Sequence, residues 1–272
     1  MTALGSALPA PDPAVRWGRS RPRCHRLFLL GQGLGASKTP ALHEAEGAAQ
    51  GMWLSYRILD VDEWGVTDAD LPEVLDWAKA CGFSGFNVTH PFKQSVIAHL
   101  DELSPHAAAL GAVNTVVLRD GRAIGHNTDW RGFQQPFADA MPDVGADTVV
   151  AQLGAGGAGA AVAYALLDLG VAELRIFDLD SARGADLVAR MATLFGPDRV
   201  RVCADPVDAL GAADGVVNTT PMGMAGHPGS AAPAGSLRPD LWVAEIIYFP
   251  LETELLAQAR RRRSSARNRL RR

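Results

Sequence analysis

The sequence lacks the features that mark disulfide-rich, metal-binding and membrane-spanning chains. Only three of its 272 residues are cysteines, an odd number without C-x-x-C spacing, so neither a disulfide framework nor a thiolate zinc site is expected. Such cysteine usage fits a reducing compartment, the cytoplasm. No apolar run reaches the roughly 20 residues of a membrane helix, and no apolar segment near the start resembles a signal peptide. We therefore predict neither a membrane association nor a metal site.

Charge is unevenly distributed along the chain. Residues 260–272 contain eight arginines and no acidic residue, which leaves 18 basic and 30 acidic side chains in the rest of the sequence. An acidic body is a poor binder of nucleic acid, so no nucleic-acid partner is expected. The basic end could attract polyanions, but a solvated and disordered tail is the simpler interpretation.

Strand and helix patterns alternate along most of the sequence. In the first half, three strands and three helices precede a hairpin that turns at Asp120-Gly121. The predicted strands are 26–31, 55–62 and 84–89, and the predicted helices are 40–50, 71–82 and 91–103. In the second half, nearly unbroken apolar strands alternate with helices, which is typical of a parallel sheet covered on both faces. These strands are 148–154, 173–180, 199–203, 214–220 and 242–248.

This alternation predicts an α/β protein of two domains, the second built on a doubly wound parallel sheet. The segment before the first strand is rich in proline and arginine and is expected to be a poorly ordered arm. The predicted segments are the arm 1–25, a first domain 26–129, a second domain 130–250, and a C-terminal helix with an atypical arginine-rich tail at 251–272.

A glycine cluster follows the strand at 148–154 and opens the next helix. It reads Gly154-Ala155-Gly156-Gly157-Ala158-Gly159. Small residues here let a phosphate approach the backbone and the free N–H groups of a helix N-terminus. A tight turn between strand and helix would need glycine too. The order of strand, glycines, helix and a later acid, Asp178, favours a dinucleotide site in a Rossmann-like domain.

Asp178 ends the strand that follows the glycine cluster, where an acid is expected to hydrogen-bond the adenosine ribose. Its carboxylate would repel a 2′-phosphate, so NAD is the predicted cofactor and NADP the less favoured one. Arg183 leaves three interpretations open: it could offset the charge of Asp178, stack on the adenine, or lie on a helix surface.

Lysine is scarce, and one lysine lies where an active site is expected. Lys38, Lys79 and Lys93 are the only lysines among 26 basic residues. Unlike arginine, a partly desolvated lysine can release its proton near neutral pH. Lys93 is predicted on the first turn of a helix beside the carboxyl end of a strand, the region where α/β sites gather. An exposed surface lysine is the alternative.

The hairpin is predicted to bring further polar groups to one point. With a two-residue turn at Asp120-Gly121, Asn114 faces Asn127, and Asp129 lies ~7–8 Å diagonally from Asn114. A lysine and an aspartate that share a substrate hydroxyl would form a proton-transfer pair, which makes Lys93 and Asp129 the candidate catalytic residues. Two polar residues at a strand end are the alternative.

The segment Ser37-Lys38-Thr39-Pro40, between the first strand and its helix, offers hydroxyl and N–H groups that could hold a carboxylate. Capping of the helix by Ser37 or Thr39 is an equally good interpretation. His43, His90 and His126 do not have the spacing of metal ligands, so structural or surface roles are favoured for them.

Taken together, these motifs resemble the shikimate dehydrogenase family, and most closely its NAD-using quinate/shikimate dehydrogenase branch. The similarity covers roughly residues 26–259. Its motifs are GQGLGASKTPALHEAEG (31–47), GFNVTHPFKQSV (85–96), GAVNTVV (111–117), GHNTDWRGF (125–133), GAGGAGAAVAYAL (154–166), DLDSAR (178–183), NTTPMGM (218–224) and EIIYFPLETELL (245–256).

The resemblance implies a cleft between a substrate-binding first domain and an NAD-binding second domain. It implies reversible NAD(P)-dependent oxidation of the C3 hydroxyl of shikimate to 3-dehydroshikimate, and of quinate to 3-dehydroquinate. Lys93 would donate and accept the proton, and Asp129 would position the reacting hydroxyl. The implied substrate-binding residues are Ser37, Thr39, Thr89, Asn114 and Tyr248. The implied cofactor-binding residues are Gly154, Ala155, Gly156, Gly157, Ala158, Asp178, Arg183, Thr220, Met222 and Ile246.

Two departures from the family pattern affect these expectations. Shikimate-specific, NADP-using members typically have serine in place of Thr39 and Asn-Arg-Thr at 178–180, so this chain is more similar to the quinate-accepting branch. Members also continue, after the helix at the end of the last motif, with a glycine-rich segment that carries a substrate-binding glutamine. Here the sequence becomes RRRRSSARNRLRR at 260–272, which suggests a frameshift or a premature end.

Three interpretations of function follow. An active NAD-dependent quinate/shikimate dehydrogenase, with a small-molecule substrate and an oligomeric state open to a homodimer, is the favoured one. The alternative is a catalytically impaired nucleotide-binding relative, because the glutamine-bearing segment is missing. A dehydrogenase of amino acids or folates is disfavoured by Lys93, Asp129 and the pair Ser37 and Thr39.

Overall fold

The structure, a computed structural model, describes residues 24–262 and the backbone of 266–268. Residues 1–23 of the predicted arm, and 263–265 and 269–272 of the predicted tail, lie outside the described residues. The described strands form two six-stranded sheets. The chain is therefore an α/β protein, as the alternating pattern predicts.

The first sheet is mixed. Its strands are β1 (Cys24–Gly31), β2 (Trp53–Asp60), β3 (Gly85–Val88), β4 (Glu102–Leu103), β5 (Thr115–Arg119) and β6 (Arg122–His126). The helices in this part of the chain are α1 (Thr39–Ala49), α2 (Val61–Trp64), α3 (Leu71–Ala80), α4 (Pro105–Leu110) and α5 (Asp129–Ala140). The strand order is β2-β1-β3-β5-β6-β4, with β1, β2 and β3 mutually parallel and β5 antiparallel to its neighbours.

The hairpin has the predicted register. Arg119 pairs with Arg122 across the turn, and Asp120 and Gly121 both have positive φ angles, 53° and 76°, as a two-residue hairpin turn requires. The second strand is shorter than predicted, because β6 ends at His126. Asp129 begins α5 instead.

The helix predicted at 91–103 is wrong. The structure has a turn after β3, then a 3-10 helix at Ser95–His99, and then the short strand β4. Two long-range hydrogen bonds replace those of a helix: the N–H of Val113 donates to the carbonyl of Lys93 at 2.7 Å, and the N–H of Asp101 donates to the carbonyl of Ala123 at 2.9 Å. Tertiary pairing with the hairpin thus overrides the local helical preference.

The second sheet is parallel throughout. Its strands are β7 (Val149–Leu153), β8 (Glu173–Phe177), β9 (Val200–Val202), β10 (Gly215–Asn218), β11 (Trp242–Glu245) and β12 (Ala266–Asn268). The helices are α6 (Gly157–Asp168), α7 (Ser181–Phe195), α8 (Pro206–Leu210) and α9 (Glu254–Arg261), with a 3-10 turn at Pro197–Arg199. The order β9-β8-β7-β10-β11-β12 is that of a doubly wound dinucleotide-binding sheet.

This strand order locates the expected ligand site. The order reverses between β7 and β10, so the loops after these two strands face the crevice in which such sheets bind ligands.

The arginine-rich tail differs from its prediction, which is a solvated and disordered end. Its residues 266–268 instead form β12, the outermost strand, in parallel with β11.

Aromatic rings connect the helices between the two sheets. His106 of α4 stacks on Trp130 of α5, with ring centroids 4.6 Å apart. Trp130 packs edge-to-face on Tyr164 of α6 at 5.2 Å, and Tyr164 in turn packs on Phe195 of α7 at 5.2 Å. This chain of rings fixes α5 against the helix that opens with the glycine cluster.

Candidate active site

Lys93 and Asp129 meet although they are distant in sequence. The Nζ atom of Lys93 donates to Oδ2 of Asp129 at 2.6 Å, and the two side chains are 20% and 34% exposed. Lys93 lies in the turn after β3, and Asp129 is the first residue of α5. The amine and the carboxylate therefore form a pair that is partly open to solvent, at the carboxyl end of the first sheet.

Asn114 holds the Asp129 carboxylate from the other side. Its Nδ2 atom donates to Oδ1 of Asp129 at 2.7 Å and to Oγ1 of Thr128 at 2.9 Å. The N–H of Asp129 donates to Oδ1 of Asn127 at 3.0 Å. The hairpin thus directs an amide to the carboxylate, although Asp129 lies on a helix and not on the strand predicted for it.

The loop that carries Ser37 and Thr39 lies beside the loop after β3. The N–H of Gln32 donates to the carbonyl of His90 at 2.9 Å, and Gly31 has no room for a side chain against Thr89. Ser37 donates from Oγ to Oγ1 of Thr39 at 3.0 Å and accepts the N–H of Thr39 at 3.3 Å. The hydroxyls predicted to bind substrate therefore follow the ends of neighbouring strands.

The glycine loop after β7 is held in place by backbone and side-chain contacts. Gly154 has a φ angle of +107°, which favours glycine, and a Cβ atom on Gly159 would lie 2.6 Å from the carbonyl oxygen of Gly154. Thr219 donates to the carbonyls of Leu153 and Gly154, each at 2.9 Å. The Nε2 atom of Gln152 donates to the carbonyls of Gly154 and Gly159 at 2.8 and 2.9 Å.

One side of this loop is open and faces Lys93. A Cβ atom on Gly156 would meet no protein atom within 4 Å, whereas one on Gly157 would lie 3.5 Å from Cδ of Lys93. Ala155 is buried and Ala158 half-buried. A pyrophosphate fits here, because the open backbone is at the N-terminus of α6. The glycine loop and the Lys93–Asp129 pair thus border the same crevice.

Two alanine substitutions should separate stability from cofactor binding. We expect Gly159→Ala to lower the free energy of unfolding by about 1–3 kcal/mol, because its Cβ meets backbone that cannot yield. Gly156→Ala should keep the melting temperature and weaken NADH binding about 10-fold or more, about 1.4 kcal/mol, because its Cβ enters the open space. Thermal unfolding and NADH fluorescence titration measure the two effects. Unchanged NADH affinity in Gly156→Ala would contradict this placement of the pyrophosphate.

Asp178 lies at the end of β8 and is engaged on both oxygens. Oδ1 accepts the N–H of Asp180 at 2.8 Å and Nη2 of Arg183 at 2.8 Å, and Oδ2 accepts the N–H of Ala155 at 2.6 Å and Nε of Arg183 at 3.3 Å. Burial alone would raise the pKa of Asp178, but the hydrogen bonds from Arg183 and the two N–H groups outweigh it, and the pKa lies below its usual value. The structure therefore has the first of the three interpretations of Arg183: its guanidinium pairs with Asp178 and offsets the charge of the carboxylate.

The remaining predicted residues lie on the loops after β10 and β11. Thr220 donates from Oγ1 to Oδ1 of Asn218 at 2.7 Å, and Met222 donates its N–H to Oγ1 of Thr220 at 3.1 Å. Ile246 directly follows β11, and Tyr248, two residues later, is exposed. The structure thus places Thr220 and Met222 after β10, the strand next to β7, and Ile246 after β11, one strand further from the glycine loop.

Several polar residues inside apolar strands were not predicted from the sequence. Asn87 in β3 accepts the Tyr56 hydroxyl at 2.7 Å and donates to the carbonyl of Asn114 at 3.2 Å, which fixes the hairpin beside the site. Gln152 and Glu245 are buried near the strand ends of the second sheet. A polar residue in an otherwise apolar strand is the signal that could have identified all three, because a buried polar group needs partners.

Comparison with known proteins gives a consistent result. Residues 29–116 match the family model of the shikimate dehydrogenase substrate binding domain. A shikimate dehydrogenase (NADP(+)) of Streptomyces avermitilis is 51% identical over 85% of this chain and 80% of its own length. A quinate/shikimate dehydrogenase (NAD(+)) of Corynebacterium efficiens is 48% identical over 86% of this chain and 83% of its own length.

Solved structures agree in fold. A quinate dehydrogenase from Corynebacterium glutamicum in complex with NAD has a TM-score of 0.79 and 45% identity, with 90% of this chain and 87% of that chain covered. A shikimate 5-dehydrogenase from Listeria monocytogenes in complex with shikimate and NAD has a TM-score of 0.78 and 28% identity, with 91% and 86% covered. Within the described part of the chain, no helix has the length and apolarity to cross a membrane, and no three acidic, histidine or cysteine side chains cluster as metal ligands.

Proposed function

The chain belongs to the shikimate dehydrogenase family, and on that premise we propose that it oxidises the C3 hydroxyl of shikimate and of quinate, with NAD as the preferred cofactor. It is an NAD(P)-dependent dehydrogenase. The observation that carries the proposal is the contact of Lys93 with Asp129 at 2.6 Å, directly beside the open side of the glycine loop. An amine, a carboxylate and a dinucleotide loop in one crevice are what alcohol oxidation needs.

The Lys93–Asp129 pair handles the proton of the substrate hydroxyl. Asn114 fixes the Asp129 carboxylate, which can then accept a hydrogen bond from the substrate hydroxyl in one orientation. Lys93 removes the hydroxyl proton as the carbonyl forms, and returns it in the reverse reaction. When bound, NAD supplies the acceptor for the hydride that leaves the substrate carbon. Arginine could not serve in place of Lys93, because it does not release its proton near neutral pH.

The substrate carboxylate is assigned to the hydroxyls of Ser37 and Thr39. In the structure these hydroxyls bond each other at 3.0 Å, and both side chains are half-buried. Each hydroxyl can turn its donor to an anion that approaches the loop. Thr89, Asn114 and Tyr248 complete the proposed substrate-binding set.

The preference for NAD rests on Asp178. Its carboxylate is 7% exposed at the side chain, whereas the Arg183 side chain is 47% exposed. Because all four acceptor positions of Asp178 are taken, a ribose hydroxyl would displace the more exposed partner, Arg183. The released guanidinium would then lie at the adenosine end, where a 2′-phosphate of NADP would also be bound. The Asp178 carboxylate would repel a 2′-phosphate at the same point, and this repulsion makes NAD the favoured cofactor and NADP the weaker one.

The assay for this proposal is NADH formation at alkaline pH with shikimate and with quinate as separate substrates. We expect turnover with both, and a lower kcat/KM with NADP than with NAD. Folded protein that binds NADH but turns over neither substrate would contradict the proposal, and would support the alternative of a catalytically impaired relative. The assembled Lys93–Asp129 pair and the near 50% identity to named dehydrogenases do not favour that alternative.

The partner that we propose is the small-molecule substrate. Sedimentation measures the oligomeric state, with a homodimer as one outcome. The cysteines of the described residues are unpaired, with Cys24 and Cys81 exposed and Cys203 buried. Free exposed thiols persist in a reducing compartment, so we propose the cytoplasm as the site of action.

A further inference from the structure

The second sheet contains a buried carboxylate to which the sequence assigns no role. Glu245 is the last residue of β11 and is 3% exposed. Burial raises the pKa of this carboxyl, and hydrogen bonds from Asn218, Ile247 and Thr253 only partly oppose the rise. A buried carboxylate is unfavourable unless its hydrogen bonds compensate, and an apolar side chain could fill the same space without that cost. The contacts of Glu245 therefore indicate what it is for.

Glu245 joins three segments of the chain. Its Oε1 atom accepts the N–H of Ile247 at 3.1 Å and Nδ2 of Asn218 at 3.1 Å. Its Oε2 atom accepts the same Nδ2 at 3.1 Å and the hydroxyl of Thr253 at 3.0 Å. Thr253 is the N-cap of α9 and accepts the N–H of Leu256. The carboxylate thus connects the end of β10, the loop after β11 and the start of α9.

Asn218 extends this connection to the loop after β10. Its Oδ1 atom accepts the N–H of Thr220 at 3.0 Å and the Thr220 hydroxyl at 2.7 Å. Its Nδ2 atom donates to the carbonyl of Met222 at 3.1 Å. The main-chain carbonyl of Asn218 accepts the N–H of Ile246 at 3.4 Å. Asn218 therefore joins Glu245 to Thr220 and Met222 through its side chain, and to Ile246 through its main-chain carbonyl.

We propose that Glu245 is a positioning residue for the cofactor: through Asn218 it holds the backbone of Thr220, Met222 and Ile246 in the geometry that binds the nicotinamide half. This inference rests on the proposed function, since it presumes an NAD-type ligand. Glu245 does not touch that ligand. It acts because a carboxylate has acceptor positions on both oxygens, and three donors from three segments converge on it.

The test uses Glu245→Gln in the full chain. Glutamine has the same shape, but its NH₂ group must face a donor, Nδ2 of Asn218 or the N–H of Ile247, so part of the network is lost. We expect the NADH dissociation constant and the KM for NAD to rise on the order of 10-fold, while the KM for shikimate or quinate changes less than about 2-fold. NADH fluorescence titration measures binding independently of turnover.

Glu173→Gln is the matched control. Glu173 begins β8 at the opposite, amino end of the same sheet and pairs with Arg175 at 2.9 Å and Arg201 at 2.8 Å. We expect it to lower the melting temperature and to leave NADH binding unchanged. If Glu245→Gln also lowers only the melting temperature, Glu245 is a structural residue and the proposal is overturned.

A second variant covers the case in which Glu245→Gln does not fold. Glu245→Asp keeps the charge and the acceptor positions but is one methylene shorter, so it cannot reach all three segments at once. An NADH dissociation constant above that of the wild type supports the proposal, and a wild-type value overturns it. Wild-type protein that does not bind NADH would overturn both proposals, whereas NADH binding without turnover would overturn the proposed reaction alone.

Discussion

Lys93→Ala is expected to lower kcat with shikimate or quinate by roughly 10²–10⁴-fold, the range measured when a general acid–base is removed. Cofactor binding should persist, because the Lys93 atoms nearest to the Cβ position of Gly157 belong to its aliphatic stem and not to its amine. The measurement is steady-state turnover together with NADH titration. The matched control is Lys79→Ala. It removes a lysine of α3 whose Nζ atom lies 3.7 Å from Oδ2 of Asp101. We expect Lys79→Ala to leave kcat unchanged.

Lys93→Arg distinguishes proton transfer from simple charge. Arginine keeps the positive charge and the ion pair with Asp129, but it does not release its proton near neutral pH. If Lys93 transfers the proton, the arginine variant is nearly as slow as the alanine variant. Recovery of turnover by arginine would show that only the charge matters, and turnover unaltered in Lys93→Ala would remove Lys93 from the mechanism.

Asp178→Asn is expected to shift the ratio of kcat/KM for NAD to that for NADP by roughly 10–100-fold towards NADP, the range for hydrogen bonds to a charged group. The asparagine cannot repel a 2′-phosphate, and it releases Arg183 from its ion pair, in which Nη2 lies 2.8 Å from Oδ1 of Asp178. The double variant Asp178→Asn with Arg183→Gln is the control. It should lose the gain in NADP use, because the cation that would meet the phosphate is gone. An unaltered cofactor ratio in Asp178→Asn would show that Asp178 does not face the ribose.

Local sequence was sufficient where a short motif dictates geometry. Asp120-Gly121 determined the hairpin turn and the pairing of its strands, because both residues tolerate positive φ angles. The glycine cluster between strand and helix specified the topology around β7, because steric demands there admit little else. The polar partners Asn114 and Asp129 followed from this pairing, although the exact path of the chain did not.

Tertiary contacts decided what local patterns could not. The segment 91–103 has helical periodicity, yet its backbone pairs with the hairpin and places Lys93 in a turn. The start of α5 at Asp129 was not foreseen, because the polar run at 126–129 is equally compatible with a strand. The role of Glu245 was not predicted for a different reason. It depends on hydrogen bonds from Asn218 and Thr253, which are brought to the carboxylate only by the fold.

The hydrogen bonds that Gln152 and Thr219 donate to the glycine loop have an energetic consequence. Glycines lose the most conformational entropy when they become ordered, and a loop that became ordered only on binding would subtract that loss from the affinity. Here four carbonyl contacts, from Gln152 to Gly154 and Gly159 and from Thr219 to Leu153 and Gly154, hold the loop within the folded chain itself. We therefore expect a dinucleotide to meet a preorganised surface, with a rate of capture governed by diffusion and orientation instead of loop closure.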